Sequence, residues 1–189
     1  MSQKYPPIVF ATGNANKLKE LIVIAAGSEL EFSHQKIDID EIQSLDVLEI
    51  VEHKLREAYR RIGKPVIVED VGAGLDSLNG LPGPFMKFFE QRLGPSALYQ
   101  IQKVPNDKVT IRCVAGFYDG STMLFGEGIV EGHIVEPRGE NGFGFDSIVM
   151  PDSQPNGEQR TYAEMTAEEK GAISHRGKAL RNLIDQLAS

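Results

Sequence analysis

The sequence predicts a mixed α/β fold organised as a single domain over residues 1–189. Three observations predict it: apolar strand segments alternate with amphipathic helical segments in the first half, two long alternating segments follow, and the chain closes on a helical stripe. A chain of 189 residues that is 41% hydrophobic and 25% charged can bury one substantial core, but it has no room for two full-sized domains.

The first half of the chain predicts three strands and two helices. Each strand is a short apolar run, and each helix carries apolar residues three or four positions apart. Gly63 and Pro65 end the second helix, while Glu69 and Asp70 are expected at the carboxyl end of the third strand, before a glycine-rich turn. The predicted elements are a strand at 8–11, a helix at 18–25, a strand at 30–39, a helix at 47–62 and a strand at 66–68.

The second half predicts two helices, a β-meander, an irregular segment and a closing helix. Residues 137–157 are rich in Gly, Pro, Asn and Ser, which favours a loop. Leu180, Leu183, Ile184 and Leu187 form the apolar stripe of the closing helix. The other predicted elements are helices at 85–93 and 97–102 and strands at 109–118 and 123–135.

Composition excludes several classes of protein. The longest aliphatic run, 21–26, is too short to span a bilayer, and the amino end lacks a secretory signal, so we expect a cytoplasmic protein without membrane attachment. The net charge is -7 and no long run of Lys or Arg is present, which excludes a nucleic-acid polymer as the partner. Cys113 alternates with apolar residues and is expected to be a buried structural thiol.

The segment TGNANK, residues 12–17, follows a predicted strand and opens a predicted helix. Backbone N–H groups at a helix N-terminus have no partners within the helix, and they bind anions well. Asn14 is suited to cap the helix, and Lys17 adds a positive charge near the same point. An ordinary Asn cap with a surface lysine is the alternative. Residues 12–17 are named the TGNANK loop below.

Acidic residues lie at the ends of two predicted strands: Asp38, Asp40 and Glu41 end the second, and Glu69 and Asp70 end the third. Ligands of open α/β sheets gather outside the carboxyl ends of strands, so both groups are expected to face one cleft. Mg²⁺ is usually held by one or two carboxylates together with substrate phosphates. The acids are therefore candidate Mg²⁺ ligands, and solvated loop acids are the alternative.

Two further clusters lie near the carboxyl end. Residues 143–146, named the FGFD loop below, carry two aromatic rings that could stack on a planar base or plug the core. Ser174, His175 and Arg176 precede the last helical stripe, with Lys170 just upstream. An Arg fork and a His donor recognise carbonyl or phosphate oxygens, and cationic surface residues are the alternative.

Taken in order, five blocks of the chain resemble the inosine triphosphate pyrophosphatase family. The blocks span nearly the whole chain in the order and approximate spacing of that family. The resemblance implies an elongated α/β fold of two lobes around a mixed β-sheet, with the nucleotide in the cleft between the lobes, and it implies a homodimer. The five blocks are TGNANK, IDIDEIQ, VEDVGAGLDSLNGLPGPFMKFF, FGFD and TYAEMTAEEKGAISHRGKAL.

The activity implied by the resemblance is hydrolysis of the non-standard purine triphosphates ITP, dITP and XTP to a monophosphate and pyrophosphate, which cleanses the nucleotide pool. Glu41 and Asp70 become the ligands of Mg²⁺, with one or more ions per subunit and Mn²⁺ able to substitute. Asp70 also takes the place of the catalytic base, and Ser174 supports the turn that carries His175 and Arg176. The implied substrate-binding residues are Thr12, Gly13, Asn14, Lys17, Lys54, Val71, Lys87, Phe143, Gly144, Phe145, Asp146, Lys170, His175 and Arg176.

The chain departs from the family pattern at three positions. Val71 stands where Thr or Ser is common, Phe145 where Trp is frequent, and Ser147 where Pro is usual. The first change removes a hydroxyl contact, although backbone contacts survive it. The other two change the surface on which the base is expected to stack. We expect the phosphate chemistry to be retained and the fine substrate preference to differ.

Base selectivity is expected to depend on His175 and Arg176, which can donate to the 6-oxo group that adenine lacks. ATP should then be a poor substrate, whereas the sequence gives no reason for rejecting GTP. Two rival functions remain open at this point. One is a pyrophosphatase of the Maf type acting on pyrimidine or modified nucleotides, and the other is a sensor that binds a triphosphate without hydrolysing it.

Overall fold

The computed structural model describes residues 5–189, and a seven-stranded mixed sheet forms its centre. The strands are β1 (Ile8–Ala11), β2 (Phe32–Gln35), β3 (Val66–Leu75), β4 (Pro82–Gly83), β5 (Lys108–Tyr118), β6 (Met123–Ile134) and β7 (Val149–Pro151). Six of them follow the order β2-β1-β3-β5-β6-β7, and β4 pairs with β3. β1 is parallel to β2 and β3, and the remaining pairs are antiparallel. The mixed α/β class predicted from the sequence is confirmed.

Six α-helices accompany the sheet within the described residues. They are α1 (Ala15–Ile24), α2 (Val47–Ile62), α3 (Met86–Leu93), α4 (Ala97–Ile101), α5 (Ala167–Ile173) and α6 (His175–Ala188). The predicted bounds of α2 are confirmed, because Asp46 caps its start and Gly63, in a left-handed conformation, ends it. None of these helices has the length and apolar character needed to cross a bilayer.

The hydrophobic core forms three clusters, two of which sandwich the sheet. Helices α1 and α6 cover one face, where Leu21 and Leu183 pack with Phe10 of β1. Helix α2 covers the other face, where Val51 packs with Val68 of β3. Each face carries its own set of side chains, because neighbouring residues of a strand point to opposite faces of the sheet. The third cluster lies around the distal half of β3 with α3, α4 and Tyr162.

The prediction that the third strand ends at residue 68 is wrong. β3 continues to Leu75 and pairs with β5 along its whole length, so Glu69 and Asp70 lie in the middle of a strand. The predicted glycine-rich turn is also part of β3. Gly74 is required there because a Cβ would approach the carbonyl oxygen of Gly80 to 2.0 Å. β1 pairs with β3 only at Val66 and Ile67, so the acids lie beyond that parallel pairing.

The remaining predicted elements differ in smaller ways. β2 covers only residues 32–35 of the predicted 30–39, so residues 38–41 lie in an irregular segment well past its end. The predicted loop at 137–157 contains the short strand β7, and helices α3 and α4 each lie within one residue of their expected bounds. The antiparallel pairing of β5 with β6 confirms the predicted meander. Cys113 is buried, as its alternation predicted.

Helix α6 lies directly against the backbone of β6. A Cβ on Gly128 would come within 2.0 Å of the His175 carbonyl oxygen, and a Cβ on Gly126 would come within 2.2 Å of the Ala179 carbonyl oxygen. No side chain other than hydrogen therefore fits at either position. This close approach sets the position of the first turn of α6, which carries His175 and Arg176.

Candidate active site

A cleft of about 430 Å³ opens beside the point where β1 ends and β3 continues. It draws residues from the TGNANK loop, the segment after β2, helices α2 and α3, the FGFD loop and the start of α6. The residues that line it are Ala11, Thr12, Gly13, Asn14, Lys17, Ile37, Asp38, Ile39, Glu41, Lys54, Glu69, Asp70, Val71, Met86, Lys87, Glu90, Phe143, Gly144, Phe145, Asp146, His175 and Arg176. Lys170 is the one predicted substrate-binding residue outside this lining.

The TGNANK loop is held by short-range hydrogen bonds. The Asn14 side chain caps α1 by accepting from the backbone N–H of Asn16 at 2.9 Å, and the Asn14 N–H donates to the Thr12 hydroxyl at 3.1 Å. His34 Nε2 donates to the Thr12 carbonyl oxygen at 2.8 Å, which ties the loop to β2. The loop thus directs the N-terminal end of a ten-residue helix toward the cleft.

Glu69 and Asp70 are adjacent in β3, so their side chains point to opposite faces of the sheet. Glu69 faces the layer of α1 and α6, where it pairs with Lys17 and with Arg176. Asp70 faces the layer of α2, where its carboxylate contacts Lys54 at 3.2 Å. One strand therefore contributes a carboxylate to each side of the cleft.

On the α1 and α6 side, the acids and cations form a buried network. Glu69 accepts from Arg176 Nε at 3.3 Å, and Glu20 of α1 accepts from Arg176 Nη1 and from Lys170 Nζ. Although burial raises the pKa of Glu69, the cations Arg176 and Lys17 outweigh it and hold that pKa far below its usual range. Burial likewise opposes the charge of Arg176, but Glu69 and Glu20 raise its pKa. Both partners are ionised.

On the α2 side, charged groups from α2, β3, α3 and the segment after β2 lie close together. Lys54 Nζ lies 3.1 Å from Glu41 Oε1 and 3.2 Å from Asp70 Oδ2, and Lys87 Nζ lies 3.3 Å from Glu41 Oε2. Burial raises the pKa of Glu41, but Lys54 and Lys87 outweigh it and lower that pKa below its ordinary value. The other oxygen of Asp70 accepts from the N–H of Val71 at 2.8 Å.

The carboxylates of Glu41 and Asp70 thus converge on one cation, the Lys54 ammonium. Such a pair suits a divalent ion that takes one or two protein carboxylates and completes its shell with water and phosphate oxygens. Within residues 5–189, no group of three or more His, Cys, Asp or Glu side chains is arranged to hold a metal ion by itself. The donor set therefore fits Mg²⁺ shared with a phosphorylated ligand better than a site made of protein ligands alone.

The FGFD loop is held by a hydrogen bond between two of its own residues and by an ion pair with Lys170. Asp146 accepts from the Phe143 N–H at 2.7 Å and from Lys170 Nζ at 2.6 Å. The Lys170 ammonium also lies 4.9 Å from the centre of the Phe143 ring, and the Arg176 guanidinium carbon lies 5.5 Å from it. Lys170 accordingly acts from behind the loop, where it is buried, rather than from the cleft wall.

The start of α6 brings His175 and Arg176 into the cleft. Ser174 caps this helix by accepting from the Gly177 N–H at 3.1 Å, and its backbone follows directly from α5, whose start is capped by Thr166. His175 is buried beside Phe145, with ring centres 5.9 Å apart. Burial, reinforced by the Arg176 and Lys170 charges, holds the pKa of His175 well below its usual range. The imidazole is neutral, and its Nδ1 has no hydrogen-bond partner among the described residues.

Comparison with known proteins was decisive on family. The model of the Ham1 family matches residues 8–186, which is nearly the whole chain. The chain belongs to the Ham1 family.

Curated relatives and solved structures agree with that membership. The inosine triphosphate pyrophosphatase of Schizosaccharomyces pombe is 41% identical over 186 residues, covering 96% of this chain and 95% of that protein. The protein of the same name from Scheffersomyces stipitis is 40% identical and covers 96% of this chain and 98% of its own. A HAM1 protein from Coxiella burnetii has a similar structure, with a TM-score of 0.78, 33% identity, and coverage of 96% of this chain and 98% of its own.

A further solved structure carries a more specific name. The nucleoside-triphosphatase, or dITP/XTP pyrophosphatase, of Mycobacterium abscessus matches with a TM-score of 0.68 and 29% identity. The match covers 93% of this chain and 97% of that one. The similarity to these solved structures therefore extends over nearly the whole chain and is not confined to one motif.

Two acidic residues near the cleft were missed by the sequence analysis of this Ham1 family chain. Glu20 binds both Lys170 and Arg176, and Glu90 of α3 lines the cleft itself. Glu20 lies one turn after Lys17 on α1, and that helical spacing is a usable signal for a shared face. Glu90 stands in the same relation to Lys87, three residues earlier on α3.

Proposed function

We propose that this chain hydrolyses the non-standard purine triphosphates ITP, dITP and XTP to the corresponding monophosphate and pyrophosphate. The proposal is carried by the convergence of Glu41 and Asp70 on Lys54 beside the TGNANK loop, an arrangement suited to a metal-bound polyphosphate. The names of the relatives, inosine triphosphate pyrophosphatase and dITP/XTP pyrophosphatase, support this choice of substrate.

The triphosphate is expected at the end of the cleft formed by the TGNANK loop. Backbone N–H groups at the start of α1 would bind phosphate oxygens, and Lys17, Lys54 and Lys87 would offset their charge. This local concentration of cations is needed because the protein as a whole has a net charge of -7 and repels anions. The positive charges of Lys17, Lys54 and Lys87 therefore make binding of a polyanion favourable.

Glu41 and Asp70 would hold Mg²⁺, one or more ions per subunit, or Mn²⁺ in its place. When bound, such an ion supplies positive charge that stabilises the developing charge on phosphate oxygens. Asp70 would orient a water molecule and accept its proton as the water oxygen bonds to the α-phosphorus. The bond from the α-phosphorus to the bridging oxygen then breaks and pyrophosphate leaves. Lys17, Lys54 and Lys87 would offset the negative charge of the pyrophosphate.

The base is expected against the FGFD loop, at the end of the cleft formed by α6. The neutral imidazole of His175 and the guanidinium of Arg176 would donate to the 6-oxo group. The carboxylates of Glu69 and Glu20 hold the guanidinium in place, so its geometry is fixed before the substrate arrives. A site of this kind is expected to disfavour ATP by about 10⁴ to 10⁵, because adenine leaves the donors unpaired.

A homodimer is part of the proposal, as the resemblance implies, and so is a cytoplasmic location. Static light scattering of the purified chain would give twice the mass of 20.8 kDa if the dimer forms. A mass of one chain would contradict this part of the proposal and leave the chemistry untouched.

One nucleotide panel tests the proposed activity. ITP, dITP, XTP, ATP, GTP and UTP are each incubated with the protein and Mg²⁺, Mn²⁺ or a chelator, and pyrophosphate is scored against orthophosphate. We expect pyrophosphate from the 6-oxopurine triphosphates ITP, dITP and XTP, and none after chelation. Turnover of UTP instead would indicate the Maf type of enzyme, and binding without any product would indicate a sensor. Either result would overturn the proposal.

A further inference from the structure

Gly13 gives the TGNANK loop a backbone N–H group that is available to a ligand. This N–H has no hydrogen-bond partner among the described residues, whereas the N–H groups of Thr12, Asn14 and Asn16 already donate within the protein. Gly13 is exposed and lines the cleft. A phosphate oxygen can therefore accept from the Gly13 N–H, provided that this bond points into the cleft.

The direction of the Gly13 N–H is tied to that of the Thr12 carbonyl, because both groups belong to one peptide unit. The peptide bond between these residues is trans. In a planar trans peptide the C=O and N–H bonds point in opposite directions. A contact that holds the Thr12 carbonyl away from the cleft therefore directs the Gly13 N–H toward it.

His34 makes such a contact. Its Nε2 atom lies 2.8 Å from the Thr12 carbonyl oxygen, and because a carbonyl oxygen only accepts, Nε2 carries the proton and donates. The His34 side chain is exposed on β2, which is the edge strand of the sheet, and it is not among the residues that line the cleft. The Thr12 carbonyl thus points out of the cleft, and the N–H of the same peptide points into it.

A glycine at position 13 makes this hydrogen bond important. Glycine adopts positive and negative φ about equally well, so the peptide between Thr12 and Gly13 can flip without a steric penalty at residue 13. The surroundings do not hinder the flip either, because even a Cβ on Gly13 would meet nothing within 4 Å. A flipped peptide would turn the Thr12 oxygen toward the phosphate oxygens, and the two partial negative charges would repel each other.

We propose that His34 is a positioning residue for phosphate binding, whose hydrogen bond to Thr12 selects the loop orientation in which the Gly13 N–H donates to the substrate. The assignment rests on the proposed function for the location of the phosphates. One neutral hydrogen bond shifts the ratio of two orientations by about two- to tenfold. Without it, a smaller fraction of the protein is ready to bind, and the apparent affinity falls with that fraction.

The first test compares KM and kcat for ITP in the unmodified protein and in His34→Ala. We expect KM to rise about two- to tenfold and kcat to stay within about twofold, because the N–H binds phosphate equally in the ground state and the transition state. His34→Gln should restore KM, since its amide donates from a similar distance along the side chain. Ser33→Ala is the matched control, because Ser33 is exposed on β2 but points to the other face of the strand.

The second test measures binding of tripolyphosphate with Mg²⁺ by calorimetry, which needs no hydrolysis. We expect a weaker affinity in His34→Ala by the same factor as for KM, with recovery in His34→Gln. His34→Val, which suits a strand, replaces His34→Ala if that variant is unstable.

An unchanged KM or an unchanged affinity for tripolyphosphate in His34→Ala would overturn the inference. So would a loss that His34→Gln does not restore, or a fall in kcat as large as the rise in KM, which would indicate general damage to the structure. Failure of the proposed function is a separate result. In that case ITP is not hydrolysed by the unmodified protein, whereas the affinity for tripolyphosphate still depends on residue 34.

Discussion

The two sides of β3 hold their charges in different ways. On the α1 and α6 side, the Glu69 and Arg176 side chains are 1% and 5% exposed, and each is bound by further protein charges. On the α2 side, the Glu41 and Lys87 side chains are 33% and 60% exposed. The first group is a fixed part of the fold, whereas the second can exchange its protein partners for those of a ligand.

In the proposed function, this difference separates two tasks within one cleft. Arg176 is held rigidly by Glu69 and Glu20, which suits recognition of a flat base with a fixed pattern of donors and acceptors. Lys54 bridges Glu41 and Asp70, whose side chains are 33% and 20% exposed and therefore remain accessible to a ligand. We therefore expect substitutions of charged residues on the α1 and α6 side to lower mainly stability. Substitutions of charged residues on the α2 side should lower mainly turnover.

The largest effect on stability is expected from Glu69→Gln. The change removes the buried negative charge that faces Arg176 and Lys17, and breaking a buried ion pair in this way costs roughly 3–5 kcal/mol. Urea unfolding measures the loss. Glu52→Gln is the matched control, because Glu52 pairs with Arg56 on the exposed surface of α2 and should give no measurable change. Equal stability of both variants would contradict the comparison.

The next largest effect is expected from Asp70→Asn, and it concerns turnover. Loss of the proposed base and metal ligand should lower kcat about a hundred- to a thousandfold, or roughly 3–4 kcal/mol at the transition state. The loss of stability should be smaller than for Glu69→Gln, since Glu41 still pairs with Lys54. Pyrophosphate release from ITP is the measurement, with the exposed Asp76→Asn as control. Near-normal turnover in Asp70→Asn would refute the assigned role.

The smallest effect depends on pH and belongs to His175. Its pKa is well below the ordinary 6.5 in the folded protein, so between these values only the unfolded chain binds the proton. Stability is therefore lost as the pH falls below 6.5. Between pH 7.5 and 5.5 the free energy of unfolding of the unmodified protein should fall by up to about 1.4 kcal/mol per pH unit more than that of His175→Gln, which does not titrate. Parallel profiles would show that the imidazole is not buried in neutral form.

Local signals predicted much of the fold correctly. The Asn14 cap of α1 and the bounds of α2 follow from local signals close in sequence, although α1 begins at Ala15, three residues before the predicted start. The pairing of β5 with β6 likewise follows from alternation around one short connection. The extent of β3 could not be predicted, because Glu69 and Asp70 interrupt its apolar run. Their burial depends on cations that are distant in sequence, among them Arg176.

The residues of the cleft were likewise predicted only where a local motif marked them. The five motif blocks predicted the residues that meet there, and the convergence of Glu41 with Asp70 is the arrangement that the sequence analysis required. Lys170 was expected to bind substrate, yet its ammonium is enclosed by Glu20 and Asp146 behind the FGFD loop. Glu20 and Glu90 follow Lys17 and Lys87 at helical spacing, but in sequence both resemble ordinary exposed acids of amphipathic helices. Their partners become apparent only in three dimensions.

The backbone of β6 packs directly against α6 at two glycines, and this close packing limits how new substrate preferences could arise. Because Gly126 and Gly128 allow no side chain beneath the helix, His175 and Arg176 cannot shift without displacing a central strand. Variation among descendants of this chain is thereby directed to the α3 side of the cleft, where the Lys87 side chain is 60% exposed. An engineer seeking a different nucleotide should randomise that side and leave α6 untouched.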